Sequence, residues 1–588
     1  MYLPTTKNEM DQLGWNEADI IIVTGDSYID SPFIGAAVIG HTLRLAGYRV
    51  GIIAQPDVKN AKDITRLGEP RLFWGVTSGS IDSMVANYTS LKKKRKYDDY
   101  TPGGLNNRRP DRAVIIYSNL IRQYFKNTPP IVLGGMEASL RRVAHYDYWD
   151  NKIRASVLVD AKADYLLYGM TERVVTELAG AISGKTDVTA IRGLCRITYE
   201  AEINELRGDY LELPGLDQVL KNGDLFTKMF EQFYENNDPI TAKGMFQRHG
   251  TRYLVQNPPA LPLSQSELDN VYAIPYELAQ HPYYEQIGKV KALETIKFSL
   301  QTHRGCYGEC NFCAIAVHEG RTVQWRSESS IITEAKRLTE FPDFTGYIRD
   351  VGGPTANMYG FECRQKLKRG VCSDKRCLSP VVCPTLKADH SRQISLLNKL
   401  RRIKGLKKVF VASGIRYDLI LNDKQHGESY MKEVIMHHVS GQMKVAPEHS
   451  EAKILKIMGK PGVEPLLKFK AEFDRLSANA GKKQFLTYYL IAAHPGCNEG
   501  DMRKLKLFIS QNLRITPEQV QIFLPAPSTW SSVMYHTGKN PFTGTPIFVE
   551  KDLNEKRRQK EIIVCEKKMK TIPKSGNGTH LLFSKKKK

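Results

Sequence analysis

Three cysteines with spacings of four and three residues are the part of the sequence best suited to metal chemistry: Cys306, Cys310 and Cys313. Thiolates from one short loop can converge on a soft metal centre, either zinc or an iron–sulfur cluster. A structural zinc site closes with four ligands, and this loop offers no fourth cysteine. We therefore expect a cubane cluster with one iron open to another ligand. Zinc completed by His303 or His318 is the alternative.

Four more cysteines lie close together after this loop: Cys363, Cys372, Cys377 and Cys383. All four lie within one stretch of 21 residues, which is rich in Lys and Arg. An auxiliary iron–sulfur cluster is the first interpretation, tetrahedral zinc the second, and unligated thiols the third. The irregular spacing matches neither a zinc ribbon nor a ferredoxin run, so it does not choose between the metals.

The bulk composition is that of a globular protein with reduced thiols. The chain has 588 residues, 41% of them hydrophobic, and eight of its ten cysteines fall between Cys306 and Cys497. Thiols clustered in this way indicate metal binding rather than a disulfide scaffold. The sequence has no secretory leader and no apolar run of about 20 residues. We expect a cytoplasmic protein of about two to four domains with no membrane partner.

The charge is strongly positive, because 85 Lys and Arg against 63 Asp and Glu give a formal net charge of +22. The excess is concentrated in residues 551–588, with 13 Lys and Arg and 4 Asp and Glu. A basic segment attracts polyanions, so RNA is a candidate partner and substrate. A solvated tail without a partner is the alternative, and we predict that residues 551–588 form a disordered tail.

The elements that must position these cysteines follow an alternating pattern. In the N-terminal part, β-branched apolar runs alternate with helical periodicity, which predicts a parallel, doubly wound sheet. The predicted strands are residues 19–24, 49–54, 72–77, 113–117, 131–133 and 165–167. Ligands of such sheets sit beyond the carboxyl ends of the strands, so the Gly-rich strand exits, Gly134-Gly135 among them, are candidate site loops.

A second alternating series begins near residue 294 and contains the three-cysteine loop. Six strands are predicted at residues 295–300, 346–351, 408–413, 442–445, 487–492 and 519–524. Helices are predicted between them, for example at residues 329–338, 390–401 and 464–480. Six such units predict a parallel barrel or part of one; a shorter doubly wound sheet is the alternative.

The cysteine loop resembles the signature of the radical S-adenosylmethionine (SAM) superfamily, Cys-x3-Cys-x2-Cys, with an aromatic residue, Phe312, before the last cysteine. The resemblance implies a [4Fe-4S] cluster on Cys306, Cys310 and Cys313. It also implies reductive cleavage of SAM to start radical chemistry, and an electron donor such as flavodoxin or ferredoxin. The protein would supply binding and orientation for chemistry that belongs to the cofactor.

Further segments resemble the SAM-binding parts of that superfamily, in the same order along the chain. Gly352 and Gly353 lie where the superfamily has its Gly-Gly-Glu turn, with Pro354 in place of the acidic residue. Ser413 and Arg416 lie in the segment that contacts ribose and carboxylate, where Arg416 would pair with the methionine carboxylate through both arms of its guanidinium. Glu448 follows in the next segment. Together with Phe312, these are the expected SAM-binding residues.

The arrangement as a whole resembles the YgiQ family (the UPF0313 group). The N-terminal part resembles the cobalamin-binding, Rossmann-like domain that precedes some radical SAM barrels, and cobalamin is an alternative that we do not favour. We therefore expect an α/β fold, with a Rossmann-like (cobalamin-binding-like) doubly wound domain followed by a radical SAM partial (β/α)6 barrel. The expected boundaries are residues 1–190, a connector at 191–290, and the core at 291–550 with a Cys-rich insertion at 360–390.

The expected function is a radical SAM iron–sulfur enzyme with an unidentified substrate, which RNA could be. A metal-bearing nucleic-acid-binding protein without catalysis, holding zinc or a cluster, is the alternative. The sequence assigns no general base and no radical relay residue.

Overall fold

The N-terminal half is built on one nine-stranded sheet in the computed structural model, which describes residues 1–517 and 520–564. Five parallel strands lie side by side at one end of the sheet, and their order, counted from the edge, is second, first, third, fourth, fifth. This is a doubly wound order whose switch point lies between the first and third strands. In chain order they are Ile20–Thr24, Val50–Ala54, Phe73–Thr77, Ile131–Gly134 and Tyr165–Leu167.

The sheet continues beyond residue 190, the expected domain boundary. Leu194–Thr198 pairs antiparallel with Tyr165–Leu167, and three more strands follow it toward the edge of the sheet. These are Leu211–Leu213, Met245–His249 and Arg252–Gln256. Much of the expected connector therefore belongs to the N-terminal sheet. The helices of this half are Lys7–Gln12, Gly35–Leu45, Ser83–Asn87, Ala113–Tyr124, Gly135–Leu140, Val157–Asp160, Glu172–Gly184, Glu200–Leu206, Leu216–Lys221, Gly223–Glu235, Gln265–Ala273 and Pro282–Glu285.

One predicted strand of this half is wrong: residues 113–117 begin the helix Ala113–Tyr124. Its buried positions include Ala113, Val114, Tyr117 and Leu120, which recur at the spacing of one helical face. A short apolar run cannot be distinguished from a buried strand by periodicity alone. The helix covers the sheet, so the run is buried as predicted, although it is not a strand.

The second half contains six parallel strands, and each is bridged to the next along the chain. The second strand consists of two short segments, Tyr347–Ile348 and Val351–Gly352. Leu300–Gln301 pairs with Val351–Gly352, and Tyr347–Ile348 with Lys408–Val409. A parallel bridge between Ile415 and Val445 leads to the next strand. Gln442–Glu448, Phe485–Ala492 and Val520–Ile522 then form a parallel three-stranded sheet. The partial (β/α)6 barrel is confirmed, and so is the Rossmann-like domain before it.

The first strand of this barrel is shorter than predicted, because Leu293–Ile296 is a helical turn and pairing starts only at Leu300. The other helices of this half are Ile315–His318, Glu328–Leu338, Arg364–Arg369, Ser391–Arg401, Tyr417–Asn422, Gly427–Glu433, Ala452–Met458, Glu464–Asn479, Glu499–Phe508, Trp530–Thr537 and Leu553–Ile563. Short strand pairs complete the fold: Ile29–Asp30 with Ala279–Gln280, His145–Asp147 with Lys152–Arg154, and His303–Arg304 with Gln324–Trp325.

The start of the expected C-terminal tail is a packed helix, Leu553–Ile563, which buries Lys556, Gln559 and Ile563. The rest of the tail, from residue 565, lies outside the described residues. Among the helices of residues 1–517 and 520–564, none has the length and apolar character needed to cross a membrane.

Candidate metal centre

The three-cysteine loop is held in a single conformation by backbone contacts. Gly305 has a φ of +80°, and a side chain there would lie 2.2 Å from the carbonyl oxygen of Thr322. Only glycine satisfies both conditions. Past this turn, the amide of Cys306 donates to the carbonyl of Gly320 at 3.2 Å, and Asn311 donates to the carbonyl of Met458 at 2.9 Å. The loop is thereby tied to the barrel on both sides.

Two of the three thiols face each other across Gly308. A methyl group placed on Gly308 would lie 3.2 Å from Sγ of Cys306 and 3.8 Å from Sγ of Cys310. It would also lie 3.3 Å from Nη1 of Arg416, which is itself 4.0 Å from Sγ of Cys310. The glycine therefore lets two thiols and a guanidinium converge, and a side chain there would crowd Cys306 and Arg416.

Burial disfavours free thiolates at this centre. It raises the pKa of Cys306 and of Cys313 above the ordinary thiol value, and the neighbouring Cys310 raises both further. Thiolates in such a position need a cation to compensate their charge. The donor set of three thiols from one loop therefore fits a [4Fe-4S] cluster, whose ligands are cysteine thiolates.

The histidines of the zinc alternative point elsewhere. A side chain on Gly353 would lie 2.7 Å from Nε2 of His303, so this ring packs on the glycine turn. His318 lines a cavity of the N-terminal domain. Within residues 1–517 and 520–564, no three His, Cys, Asp or Glu side chains are close enough together to hold one metal ion.

The predicted glycines and Ser413 lie at the ends of neighbouring strands, beside the loop. A side chain on Gly352 would lie 3.2 Å from Cβ of Ser413. Asp350 accepts from the amides of Ala412 and Ser413, at 2.7 and 3.1 Å, and from the Ser413 hydroxyl. This carboxylate, which could have replaced the missing acidic residue of the motif, is therefore used to hold the turn.

Arg416 is placed differently from the prediction. Its Nε and Nη2 donate to the two oxygens of Asp418, at 2.9 and 2.6 Å, so both arms of the guanidinium are occupied within the chain. It is neither a surface cation, since only 7% of it is exposed, nor free for a second bidentate pair. Only Nη1 points to the thiols. Sequence reasoning missed Asp418, and its position two residues after Arg416 gave no clear signal.

Glu448 lies at the end of the strand Gln442–Glu448, where the register to the neighbouring strand shifts. Its φ of +68° is unusual for a residue with a side chain. Burial raises the pKa of its carboxyl, against the effect of Lys460, whose Nζ lies 3.8 Å away. A strained, buried carboxylate without a close partner is typical of a binding position.

Phe312 packs edge-on against His494, with 6.1 Å between ring centroids.

The second cysteine set is only partly assembled. Cys363 and Cys383 both contact the hydroxyl of Thr385, at 3.8 and 3.1 Å, and the amide of Cys383 donates to the carbonyl of Cys377 at 2.8 Å. These three pack into one apolar cluster that also contacts Cys306. Cys372 is half-buried and is not part of that cluster. The structure thus groups three of the four predicted thiols, next to the first set.

Comparison with known proteins gives consistent matches. Residues 2–299 match the family model described as Radical SAM N-terminal, and residues 518–565 match a domain of unknown function, DUF3362. A UPF0313 protein of Fusobacterium nucleatum is 54% identical, over 96% of this chain and 99% of its own length. A UPF0313 protein of Thermotoga neapolitana is 47% identical, over 97% and 99%.

Two solved structures are more distant. A radical SAM methyltransferase, TsrM, from Kitasatospora setae is 14% identical, with a TM-score of 0.47, over 87% of this chain and 74% of its own. The cobalamin-dependent SAM radical enzyme OxsB is 10% identical, with a TM-score of 0.47, over 90% and 57%. Likenesses at this level are too weak to assign a ligand to this chain.

Proposed function

We propose that this chain, which belongs to the UPF0313 family of radical SAM proteins, is an enzyme that cleaves SAM reductively and starts a radical reaction on a substrate. The observation that carries the proposal is the geometry at Gly308, where the thiols of Cys306 and Cys310 and the guanidinium of Arg416 converge. Family membership alone would not require this chain to be active.

In this proposal Cys306, Cys310 and Cys313 hold a [4Fe-4S] cluster. When bound, the cluster would pass one electron, received from a donor such as flavodoxin or ferredoxin, to SAM, which breaks into methionine and a 5′-deoxyadenosyl radical. The loop keeps the three thiols in place, and burial of the site excludes water from the reaction. The Arg416–Asp418 pair is neutral overall, but the guanidinium lies nearer the thiols, and it would partly compensate their negative charge.

The neighbouring strand ends would bind SAM. The open turn at Gly352 and Gly353 would offer main-chain groups to the methionine end, and Ser413 would lie beside it. Glu448 would accept hydrogen bonds from the ribose hydroxyls, because its carboxylate is buried and, within residues 1–517 and 520–564, has no partner closer than the Lys460 ammonium at 3.8 Å. Phe312 would support the loop by packing.

The second cysteine set would hold an auxiliary iron–sulfur cluster on Cys363, Cys377 and Cys383. Their shared apolar cluster supports this assignment, whereas Cys372 would be dispensable. We expect about eight iron atoms per reconstituted wild-type chain and about four when the three cysteines are changed to Ala. The Cys372→Ala variant is the matched control and should keep the wild-type iron content. Zinc that disappears with the three cysteines, at constant iron, would refute the assignment.

Anaerobic reconstitution followed by addition of dithionite and SAM tests the enzyme proposal directly. We expect 5′-deoxyadenosine from the wild-type chain and none from Cys306→Ala, Cys310→Ala or Cys313→Ala. Cys195→Ala serves as the control, because Cys195 is buried in the N-terminal sheet, and it should still form the product. Absence of product from a wild-type chain with a loaded cluster would support the non-catalytic alternative.

RNA as the substrate rests only on the positive charge, much of which belongs to residues outside the described range. Electrostatic binding to RNA would weaken steeply as salt is added. A binding titration with tRNA at two salt concentrations therefore tests this substrate class separately from the SAM chemistry.

A further inference from the structure

A cavity of about 330 Å³ lies at the carboxyl edge of the N-terminal sheet. Thr24 and Thr77, the last residues of the first and third strands, both line it. These strands flank the point where the strand order reverses, which is where doubly wound sheets bind ligands. The volume is in the range of small-molecule sites.

The inner part of the cavity is apolar. It lies between one face of the sheet and the helices Gly35–Leu45 and Glu172–Gly184, and its walls are Ile22, Ile34, Val38, Phe73, Val132, Leu167 and Val175. Gly75, in the middle of its strand, and Ala36 contribute almost no side-chain volume. These two small residues therefore leave space between the larger apolar side chains of the cavity walls.

The outer part carries polar atoms that lack partners. Oε2 of Glu172 and Nδ1 of His318 are buried and have no hydrogen-bond partner within the described residues. The other oxygen of Glu172 accepts from Arg304. Burial lowers the pKa of His318 to about 4, so its ring is neutral at pH 7, with one donor and one acceptor nitrogen. Buried polar atoms without partners are rare in folded proteins, and a ligand hydroxyl, which both donates and accepts, would satisfy both atoms.

The charge of the cavity selects against anions. Asp26, Glu172 and Glu319 line it together with one cation, Arg304, which Glu172 already pairs. Asp26 is paired with Arg109 from outside the lining, at 2.8 Å. A phosphate or carboxylate entering here would meet carboxylates without a free cation.

We propose that this cavity binds a small, uncharged and mainly apolar organic molecule, with a hydroxyl group that donates to Glu172 and hydrogen-bonds to Nδ1 of His318. The site goes beyond the proposed SAM chemistry, since none of the SAM-binding residues line it. Glu319 connects the two, because it lines the cavity and accepts from the amide of Gly305 at 2.9 Å, immediately before Cys306.

Three probes built on the same naphthalene ring test separately the need for a hydrogen-bond donor and the exclusion of anions. They are 2-naphthol, which has a hydroxyl donor, naphthalene, which has none, and 2-naphthoate, which is an anion. Binding to the full-length wild-type chain is measured by fluorescence. We expect 2-naphthol to bind at one site per chain. Naphthalene and 2-naphthoate should each bind at least about tenfold more weakly than 2-naphthol. Naphthalene lacks the hydrogen bond, and 2-naphthoate brings an unpaired charge.

Variants of the cavity complete the test. Ala36→Phe should fill the apolar part and abolish binding of 2-naphthol, and His318→Phe should weaken it, because one of its two hydrogen bonds is lost. Leu220→Ser, a change at an exposed residue outside the lining, is the control and should bind like the wild type. If Ala36→Phe does not fold, His318→Phe decides. Equal binding of 2-naphthol and naphthalene, or wild-type affinity in His318→Phe, would overturn the proposal, whatever the result with SAM.

Discussion

Arg416 is the residue whose role changes most between sequence and structure. Its resemblance to a SAM-contacting position predicts a pair with the methionine carboxylate. In the structure Asp418 takes that bidentate position, and the guanidinium reaches the thiols through Nη1 alone. A buried pair of this kind fixes the direction of a cation that would otherwise have many rotamers.

Replacing Asp418 with Asn should destabilise the fold strongly, because it leaves the Arg416 guanidinium buried without its counter-charge. The expected loss in the free energy of unfolding is about 3–5 kcal/mol, measured by denaturant unfolding of the apoprotein. Glu428→Gln is the matched control, since Glu428 also pairs with cations but on the surface, and it should change little. Equal stability of the two variants would contradict the structural assignment.

Glu448→Gln should weaken SAM binding by about tenfold without changing the iron content, because a neutral amide is a weaker acceptor than a carboxylate. Anaerobic calorimetry on the reconstituted chain measures the affinity. Glu451→Gln, three residues further on, is the control and should bind SAM as the wild type does. Loss of iron in Glu448→Gln would show that the residue supports the cluster loop instead.

At the scale of elements, the cysteine loop depends on glycines more than on regular structure. Gly305 turns the chain against the carbonyl of Thr322, and Gly308 lets two of the thiols converge. The strand before the loop, His303–Arg304, is only two residues long. The position of the thiols is therefore set by two turns and by contacts to the barrel.

Gly305→Ala should lose most of the bound iron, because the added methyl group collides with backbone that cannot move away. Gly544→Ala is the control: Gly544 also has a positive φ, of +70°, but nothing lies within 4 Å of the added carbon. That variant carries only the left-handed backbone cost of about 1–2 kcal/mol and should keep its iron. Iron content per chain after reconstitution measures both, and full iron in Gly305→Ala would contradict the loop geometry.

At the scale of the whole molecule, the C-terminal helix Leu553–Ile563 joins the two halves. Nζ of Lys556 donates to Tyr148 of the N-terminal part at 3.2 Å and to Tyr535 of the core at 2.8 Å. Gln559 accepts from the amide of Ala493, at the end of a barrel strand. The first turns of the basic segment therefore hold the domains together, which its charge did not suggest.

Lys556 should make the stability of the chain depend on pH. Burial and the nearby cations Lys92 and Lys551 lower its pKa to about 7, against the opposing effect of Glu550. Between about pH 7 and the ordinary lysine value near 10.4, the unfolded chain holds a proton that the folded chain has released. Stability should therefore rise with pH across this window.

Lys556→Met should remove that contribution. The unfolding free energy of the wild type minus that of the variant, measured from pH 6.5 to 9.5 by denaturant titration, should increase as the pH rises. Lys560→Met, on the same helix, is the control. A constant difference between Lys556→Met and the wild type would show that the ammonium stays charged in the fold.

The sequence by itself indicated the radical SAM family, through the thiol spacing, and the order of the two domains, whereas the ligands of the first centre remain a prediction. Thiol spacing is a local property, and strands buried on both faces, such as Ile20–Thr24, are continuous apolar runs. It misjudged residues 113–117, because a run of five apolar residues fits a buried helix as well as a strand. The SAM-binding residues, the glycine turn included, remain predictions.

Only the tertiary structure decided which groups meet. It paired Arg416 with Asp418, brought Cys363, Cys377 and Cys383 together without Cys372, and placed His318 in a cavity of the other domain. These contacts join residues from different elements or set one side chain's direction. The spacing of residues along the chain does not contain such information, since packing and burial select the partners only once the elements have assembled.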